Sequence, residues 1–172
     1  MQKLDTGYAE SLYQEMRDVW LDTKDKVGPK GQKHMYHVEF GHYSSLEHFS
    51  LFEKYAVRNA DSLGMNEVEM QTLIDYWNGD IEDINEEKSS HPDLSTVLFL
   101  TAELFKQAKE KDMPLSRVHL HPYGNFLICY DTNKWHNAED AIVKSSMTLL
   151  KYCLRDNTGA VPDNWTSNEE DF

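Results

Sequence analysis

Apolar side chains recur at helical spacing in five stretches of this sequence. Within residues 8–24, apolar side chains lie one, three or four positions apart at Leu12, Met16, Val19 and Trp20. Charged residues occupy much of the remaining surface, so the pattern predicts an amphipathic helix. The same reasoning predicts four further helices, at about 45–56, 67–77, 92–111 and 138–153.

The starts of these helices are marked by residues that satisfy free backbone N–H groups. Ser44 followed by Glu47 fits a capping box, and Asn66 followed by acidic residues fits an N-cap that complements the helix dipole. Pro92 suits the first turn of the fourth helix, where its missing N–H is not needed. Asn137 is predicted to cap the last helix.

Four short segments have β character, at residues 34–40, 60–65, 117–122 and 126–130. A turn at 123–125 is predicted to join the last two into a hairpin. The resulting order, α, β, α, β, α, α, β, β, α, indicates a layered α/β domain. Because four short strands do not complete such a sheet, we expect further strands to come from elsewhere.

Charge divides the chain unevenly. Of its 172 residues 40% are hydrophobic, enough for a core, and the formal net charge is −13. Residues 75–93 hold seven acids and one lysine (−6), and residues 154–172 hold five acids and one arginine (−4). We expect residues 1–153 to form the domain and residues 154–172 to form a mobile tail. This charge excludes a nucleic-acid partner, because phosphate binding needs a cationic surface.

The cysteines and hydropathy indicate a soluble protein in a reducing compartment. Cys129 and Cys153 lie in apolar runs and are expected to be buried free thiols. No segment approaches the roughly 20 apolar residues of a membrane span, and residues 1–11 lack a signal-peptide hydrophobic region. We therefore expect a cytoplasmic location. An endoplasmic reticulum-associated or secreted location is the alternative if a missing N-terminus carries a signal.

Two small acidic motifs could carry chemistry. His37 and Glu39 lie two apart near the end of a predicted strand, so they share one sheet face where ligands of α/β sheets bind. Asn66 and Glu69 lie three apart and share one face at a helix start. Carboxylate and amide oxygens suit a hydrated Mg²⁺. The alternatives are a satisfied polar pair on the strand and an ordinary helix cap.

A third pair, His119 and His121, also shares a strand face, as zinc ligands can. No third ligand follows at a convincing spacing. We therefore expect these histidines to have a structural role or to lie beside a nucleotide.

Taken in order, these motifs resemble the ADP-dependent glucokinase and phosphofructokinase family, with its glucokinases most similar. The resemblance rests on Tyr-His-Val-Glu-Phe at 36–40 and Asp-Ser-Leu-Gly-Met-Asn-Glu-Val-Glu-Met at 61–70. It continues through Arg-Val-His-Leu-His at 117–121 and Lys-Trp-His-Asn-Ala at 134–138, and covers residues 10–153. It implies a ribokinase-like layered α/β/α fold, and transfer of the β-phosphoryl of ADP to glucose to give AMP and glucose 6-phosphate.

The same resemblance implies roles for the acidic motifs. Glu39 and Glu69 would be the metal-site carboxylates, acting largely through waters on a Mg²⁺ that binds the ADP phosphates. His37 and Asn66 would support or orient them. Positioning and charge neutralisation are the main requirements of phosphoryl transfer, and a bridging Mg²⁺ supplies both.

Two features of the family have no counterpart in this sequence. The family's catalytic base is the Asp of a Gly-x-Gly-Asp motif, whereas Asn78-Gly79-Asp80 lacks the first glycine and Asp163 follows Val161-Pro162. The family's N-terminal strands and most of its sugar-contacting lid also have no counterpart before residue 10. We therefore expect an incomplete ribokinase-like domain that contains no catalytic base and is inactive in isolation.

Two other functions stay open. The chain could be a non-catalytic interaction paralogue, which would self-associate through exposed sheet edges. It could also be a metal-dependent hydrolase that uses Glu39 and Glu69, for which only His37 offers an acid or base group. The sequence does not separate glucose from fructose 6-phosphate as the acceptor.

Overall fold

The computed structural model describes the backbone of most of the chain. The described residues are 6–24, 26, 31, 33–41, 43, 45–81, 92–121 and 126–153, and their side chains are described up to 146. The chain divides into two compact units at Asp131/Thr132, so the described residues up to Asp131 belong to the first unit and those from Thr132 to the second. The elements are α1 (Thr6–Lys24), β1 (His37–Glu39), α2 (Leu46–Tyr55), a 3-10 turn (Val57–Asn59), β2 (Ser62–Met65), α3 (Glu67–Asn78), α4 (Leu94–Glu110), β3 (Arg117–Leu120), β4 (Leu127–Tyr130) and α5 (Ala138–Cys153).

The four strands form one sheet in the order β1-β2-β3-β4. Strand β2 is parallel to both β1 and β3, and β4 runs antiparallel to β3. The predicted helices and strands are all present, and the predicted mixed α/β class is confirmed. The parallel pairing aligns the carboxyl ends of β1, β2 and β3 along one edge of the sheet, which is where ligands bind in open α/β sheets.

One face of the sheet is the core of the first unit. Val38, Leu63 and Val118 are paired across three strands, and all three are buried. Because strand side chains alternate between faces, their neighbours point to the opposite, polar face. Helices α2, α3 and α4 cover the apolar face with fully buried side chains that include Phe49, Met70, Leu73 and Leu104.

Asp61 ties the other end of the sheet together. Its buried carboxylate Oδ2 accepts a hydrogen bond from the Tyr36 backbone N–H at 2.9 Å. Its backbone carbonyl accepts from the N–H groups of Ser116 at 2.9 Å and Arg117 at 3.2 Å. One residue therefore holds the entries of β1 and β3 beside β2.

Two predicted helix starts are wrong by one or two residues. Ser44 lies outside the described residues, and the N-cap of α2 is Ser45, whose Oγ accepts from the His48 N–H at 3.3 Å. Ser45 has the extended backbone that a cap requires. Pro92 precedes the cap of α4, because Asp93 Oδ1 accepts from the Thr96 N–H at 2.8 Å.

Helix α1 is present, but its apolar face is only partly buried. Trp20 is buried and stacks on Tyr36 with ring centroids 4.7 Å apart. Leu12, Met16 and Val19 are exposed. The spacing therefore predicted the helix correctly, and the described residues cover only one edge of its apolar stripe.

The second unit contributes α5, which begins directly after Asn137, where the cap was predicted. Asn137 has a positive φ of 61°, so its backbone is not in the extended conformation of a typical N-cap. Cys129, in the first unit, is a free, half-buried thiol, and burial raises its pKa. The predicted turn at 123–125, residues 82–91 of the acidic segment and the predicted tail at 154–172 lie outside the described residues. Within the described ranges, none of the helices combines the length and hydrophobicity needed to cross a bilayer.

Replacing Asp61 with alanine tests whether this residue holds the starts of β1 and β3 beside β2. Asp61→Ala removes the acceptor for the Tyr36 N–H, so we expect it to lower the free energy of unfolding by about 1–3 kcal/mol. Asp61→Asn keeps an oxygen acceptor and should cost less than half as much. Chemical denaturation of both variants measures the difference, and equal costs would contradict the role of the side-chain hydrogen bond.

Candidate functional site

Glu39 lies at the carboxyl end of β1, in a row that crosses the sheet. The register pairs Glu39 with Gly64 on β2, and Gly64 with His119 on β3. Just beyond β3, the His121 backbone N–H donates to the Met65 carbonyl at 3.0 Å, which extends the pairing by one residue. Backbone pairing therefore brings three segments that are distant in sequence to one sheet edge.

The carboxylate of Glu39 is held by two histidines. Its Oε2 lies 3.1 Å from His37 Nε2, and its Oε1 lies 2.7 Å from His121 Nε2. A carboxylate only accepts hydrogen bonds, so both imidazole Nε2 atoms carry a proton. The predicted His37–Glu39 pair is confirmed as a contact, whereas the second partner, His121, had been expected to have only a structural or nucleotide-adjacent role.

The other ring nitrogen of His37 contacts Ser62, which in turn contacts Arg117. Arg117 Nε donates to Ser62 Oγ at 2.8 Å, and Ser62 Oγ lies 2.9 Å from His37 Nδ1. Because Ser62 Oγ accepts from Arg117, its own O–H is available to donate to Nδ1 of a neutral imidazole. A chain of hydrogen bonds thus runs from Arg117 through Ser62 and His37 to Glu39.

Gly64 leaves the room that this carboxylate needs. A Cβ atom on Gly64 would overlap Glu39 Oε2 and would lie 2.7 Å from its carboxyl carbon. The three nearest heavy atoms to that Cβ all belong to Glu39. Glycine therefore lets this side chain cross the sheet in its observed position, and a larger residue at position 64 would force the Glu39 carboxylate to move.

The electrostatics of this cluster favour an ionised carboxylate. Burial raises the pKa of Glu39, but hydrogen bonds from His121 and His37 outweigh it, so the pKa lies below its ordinary value of 4.5. Burial, followed by the positive potential of His121, lowers the pKa of His119. The cluster therefore presents an ionised carboxylate, and the centroid of the His119 ring lies 5.9 Å from that of His121.

The second acidic motif is a helix cap. Asn66 Oδ1 accepts from the Glu69 N–H at 2.9 Å, and Glu69 Oε2 accepts from the Asn66 N–H at 2.8 Å, which completes a capping box for α3. The predicted cap at Asn66 is confirmed. Glu69 Oε1 is not used by the capping box, so the cap does not prevent a further contact.

A cavity of about 280 Å³ adjoins this cap. It is lined by Phe40, Gly41, Tyr43, Phe49, Asn66, Val68, Glu69 and Thr72. Burial, aided by the nearby Tyr13 and Glu69 charges, strongly raises the pKa of the Tyr43 hydroxyl. The cavity therefore combines aromatic walls with the oxygen atoms of the capping box.

The two motifs share a sheet edge but have separate hydrogen-bond partners. Glu39 contacts the histidines, whereas Glu69 contacts Asn66. In the part of the chain with described side chains, no three His, Cys, Asp or Glu residues converge to bind a metal ion directly. Carboxylate oxygens that accept one hydrogen bond keep a free lone pair, so this donor set fits a hydrated Mg²⁺ better than a dehydrated ion.

Parallel strands followed by helices, with carboxylates at their carboxyl ends, define an α/β protein with a site at the sheet edge. Residues 1–161 match the family model described as the ADP-specific Phosphofructokinase/Glucokinase conserved region. The chain therefore belongs to the ADP-specific phosphofructokinase/glucokinase family. This membership implies a sugar kinase with nucleotide and sugar substrates, and it agrees with a ribokinase-like α/β fold. No significant match was found among curated proteins or solved structures.

The effect of Gly64→Ala on the free energy of unfolding should depend on which residue stands at position 39. In the native background the new methyl group displaces the Glu39 carboxylate from both histidines, so we expect the free energy of unfolding to fall by about 1 kcal/mol. In a Glu39→Ala background the same change should raise it by up to about 0.5–1 kcal/mol, because alanine costs less backbone entropy than glycine. Denaturant titration of the four proteins completes the cycle.

The reversal of sign is the diagnostic result. An identical cost for Gly64→Ala in both backgrounds would show that the methyl group clashes with something other than Glu39.

The lowered pKa of Glu39 also predicts a dependence of stability on pH. A depressed carboxyl pKa stabilises the fold above the ordinary value of 4.5, and this stabilisation is lost as the pH falls through the lower, folded-state pKa. The difference in melting temperature between the native protein and Glu39→Gln should therefore shrink as the pH falls below 4.5. Calorimetry at pH values below 4.5 measures this change, and a difference that stays undiminished as the carboxyl groups become protonated would contradict the assignment.

Proposed function

We propose that this chain carries the nucleotide-phosphate and metal edge of an ADP-dependent glucokinase of glycolysis. In the proposed reaction the β-phosphoryl group of ADP is transferred to glucose, giving glucose 6-phosphate and AMP. The observation that supports it most directly is the Glu39 carboxylate, held at the carboxyl end of a parallel strand in a member of a sugar kinase family. The choice of glucose over fructose 6-phosphate rests on the sequence resemblance alone.

Mg²⁺ is the proposed cofactor. Glu39 and Glu69 would hold its waters, and His37 and Asn66 would orient the two carboxylates through the contacts described above. When bound, the ion would neutralise the phosphate charge and orient the phosphoryl group. Because phosphoryl transfer depends on positioning, carboxylates already fixed in place contribute more than mobile ones.

We expect the isolated chain to bind Mg²⁺·ADP but to lack turnover. No Gly-x-Gly-Asp motif occurs in the sequence, and a general base contributes roughly 10²–10⁴-fold to such reactions. A cytoplasmic location is proposed with it, with an endoplasmic reticulum-associated or secreted location as the alternative.

A non-catalytic interaction protein is the second candidate. Two observations favour it. The α1 side chains Leu12, Met16 and Val19 form an exposed apolar stripe, and β1 is an outermost strand of the described four-stranded sheet. Both features promote association with another chain, including a second copy. Light scattering for the molar mass and titration calorimetry for nucleotide binding distinguish the two hypotheses. A monomer that binds Mg²⁺·ADP supports the kinase hypothesis, and an oligomer that binds no nucleotide supports the interaction hypothesis.

Glu69→Gln is the sharpest test of the proposed metal role. Glutamine preserves the capping box, so the fold should be retained, while the carboxylate charge is lost. Titration calorimetry with ADP, with and without Mg²⁺, should show the Mg²⁺-dependent gain in affinity reduced by about tenfold or more. Glu47→Gln is the matched control, because Glu47 is an exposed acid in the first turn of α2.

The outcomes separate the two parts of the proposal. An unchanged Mg²⁺ dependence in Glu69→Gln would remove Glu69 from the metal site. A coupled assay for glucose 6-phosphate, with a full-length relative as the positive control, addresses turnover. Robust activity of this chain alone would contradict the expectation that it lacks a base.

A further inference from the structure

Glu39 is more tightly held than its exposure would suggest. Its side chain is 52% exposed, yet each carboxylate oxygen has an imidazole partner, one from β1 and one from beyond β3. An exposed glutamate with free torsions samples many rotamers, and the two hydrogen bonds to histidine favour the rotamer that makes both of them. Such restriction on an exposed carboxylate is useful where the group must meet a ligand in a fixed geometry.

The direction of the side chain is equally specific. To reach His121, Glu39 must extend from β1 across β2, and it passes over the one position in that row that has no Cβ atom, Gly64. The absence of that atom and the presence of His121 are two independent features that serve the same contact. The described backbone at Gly64 lies outside the left-handed region, so the glycine is not explained by a turn.

We propose that His121 and Gly64 are positioning residues that seat the Glu39 carboxylate toward the hydrated cation of a bound nucleotide. His121 anchors Oε1 from the far side of β2, and Gly64 provides the space in which the carboxylate lies. His37, supported by Ser62 and Arg117, anchors Oε2. The assignment of His121 and Gly64 rests on the proposed metal role of Glu39.

The closing experiment compares binding of Mg²⁺·ADP with binding of ADP in EDTA, using the full chain. His121→Leu removes the donor, and we expect it to weaken Mg²⁺·ADP binding by about 10-fold or more while metal-free ADP affinity stays within about 2-fold. His121→Gln restores an N–H donor and should recover most of the loss. His48→Leu, which removes an imidazole from α2, is the control and should bind like the native protein.

Gly64→Ala gives a second route to the same displacement. It should reproduce the selective loss of Mg²⁺-dependent affinity seen in His121→Leu. In a Glu39→Gln background, neither change should weaken binding further, because the group that they position has lost its charge. Equal losses with and without Mg²⁺, or no loss in His121→Leu, would overturn the proposal.

A direct measurement of the contact between His121 and Glu39 distinguishes failure of this positioning role from failure of the proposed function. Long-range ¹H–¹⁵N spectra of histidine-labelled protein should show His121 protonated at Nε2, with a signal that moves in Glu39→Gln and Gly64→Ala but not in Glu47→Gln. A His121 signal that is insensitive to Glu39→Gln overturns the positioning role of His121 even if Mg²⁺·ADP binds. A His121 signal that depends on Glu39, in a chain that binds no Mg²⁺·ADP, overturns the proposed function but leaves the contact between His121 and Glu39 intact.

Discussion

The register of β2 between two parallel neighbours is the constraint on which the site depends. It places His37, Ser62 and Arg117 in one row and Glu39 and Gly64 in the next. A slip of one residue in either pairing would turn these side chains to the apolar face and expose the core. The buried row that contains Val38, Leu63 and Val118 therefore does more than stabilise the domain. Burial of these side chains fixes the register of the strands, and this register brings the polar side chains together on the opposite face.

Two residues on the polar face of β2 are unfavourable for the stability of a buried strand. Gly64 is conformationally flexible and Ser62 has a fully buried hydroxyl group, whereas apolar β-branched residues would suit both positions better. Ser62 is compensated by hydrogen bonds with Arg117 and His37, and Gly64 by the passage of the Glu39 carboxylate. Departures from local preference that are matched by a polar network are typical of functional sites.

Much of this could be predicted from the sequence, because it depends on local periodicity. The helices, the strands, the cap at Asn66 and the His37–Glu39 pair are set by residues close together in the chain. The contact of Glu39 with His121 spans 82 residues, and the reason for Gly64 appears only once β1 and β2 are aligned. Ser44 and Ser45 are equally good caps by composition, and the cap is identified only by the extended backbone of Ser45 and its hydrogen bond with the His48 N–H.

The most direct test of the account is where a cation binds when it accompanies ADP. Mn²⁺ replaces Mg²⁺ in such sites and broadens the NMR signals of nearby amides. Titration of the ¹⁵N-labelled chain with Mn²⁺·ADP should first broaden the amides of Gly64, Asn66 and His121, at the carboxyl edge of the sheet. The amides of Asp61 and Ser116, at the opposite edge, should keep their intensity. Broadening centred on Asp61 and Ser116, or none at the carboxyl edge, would contradict the account.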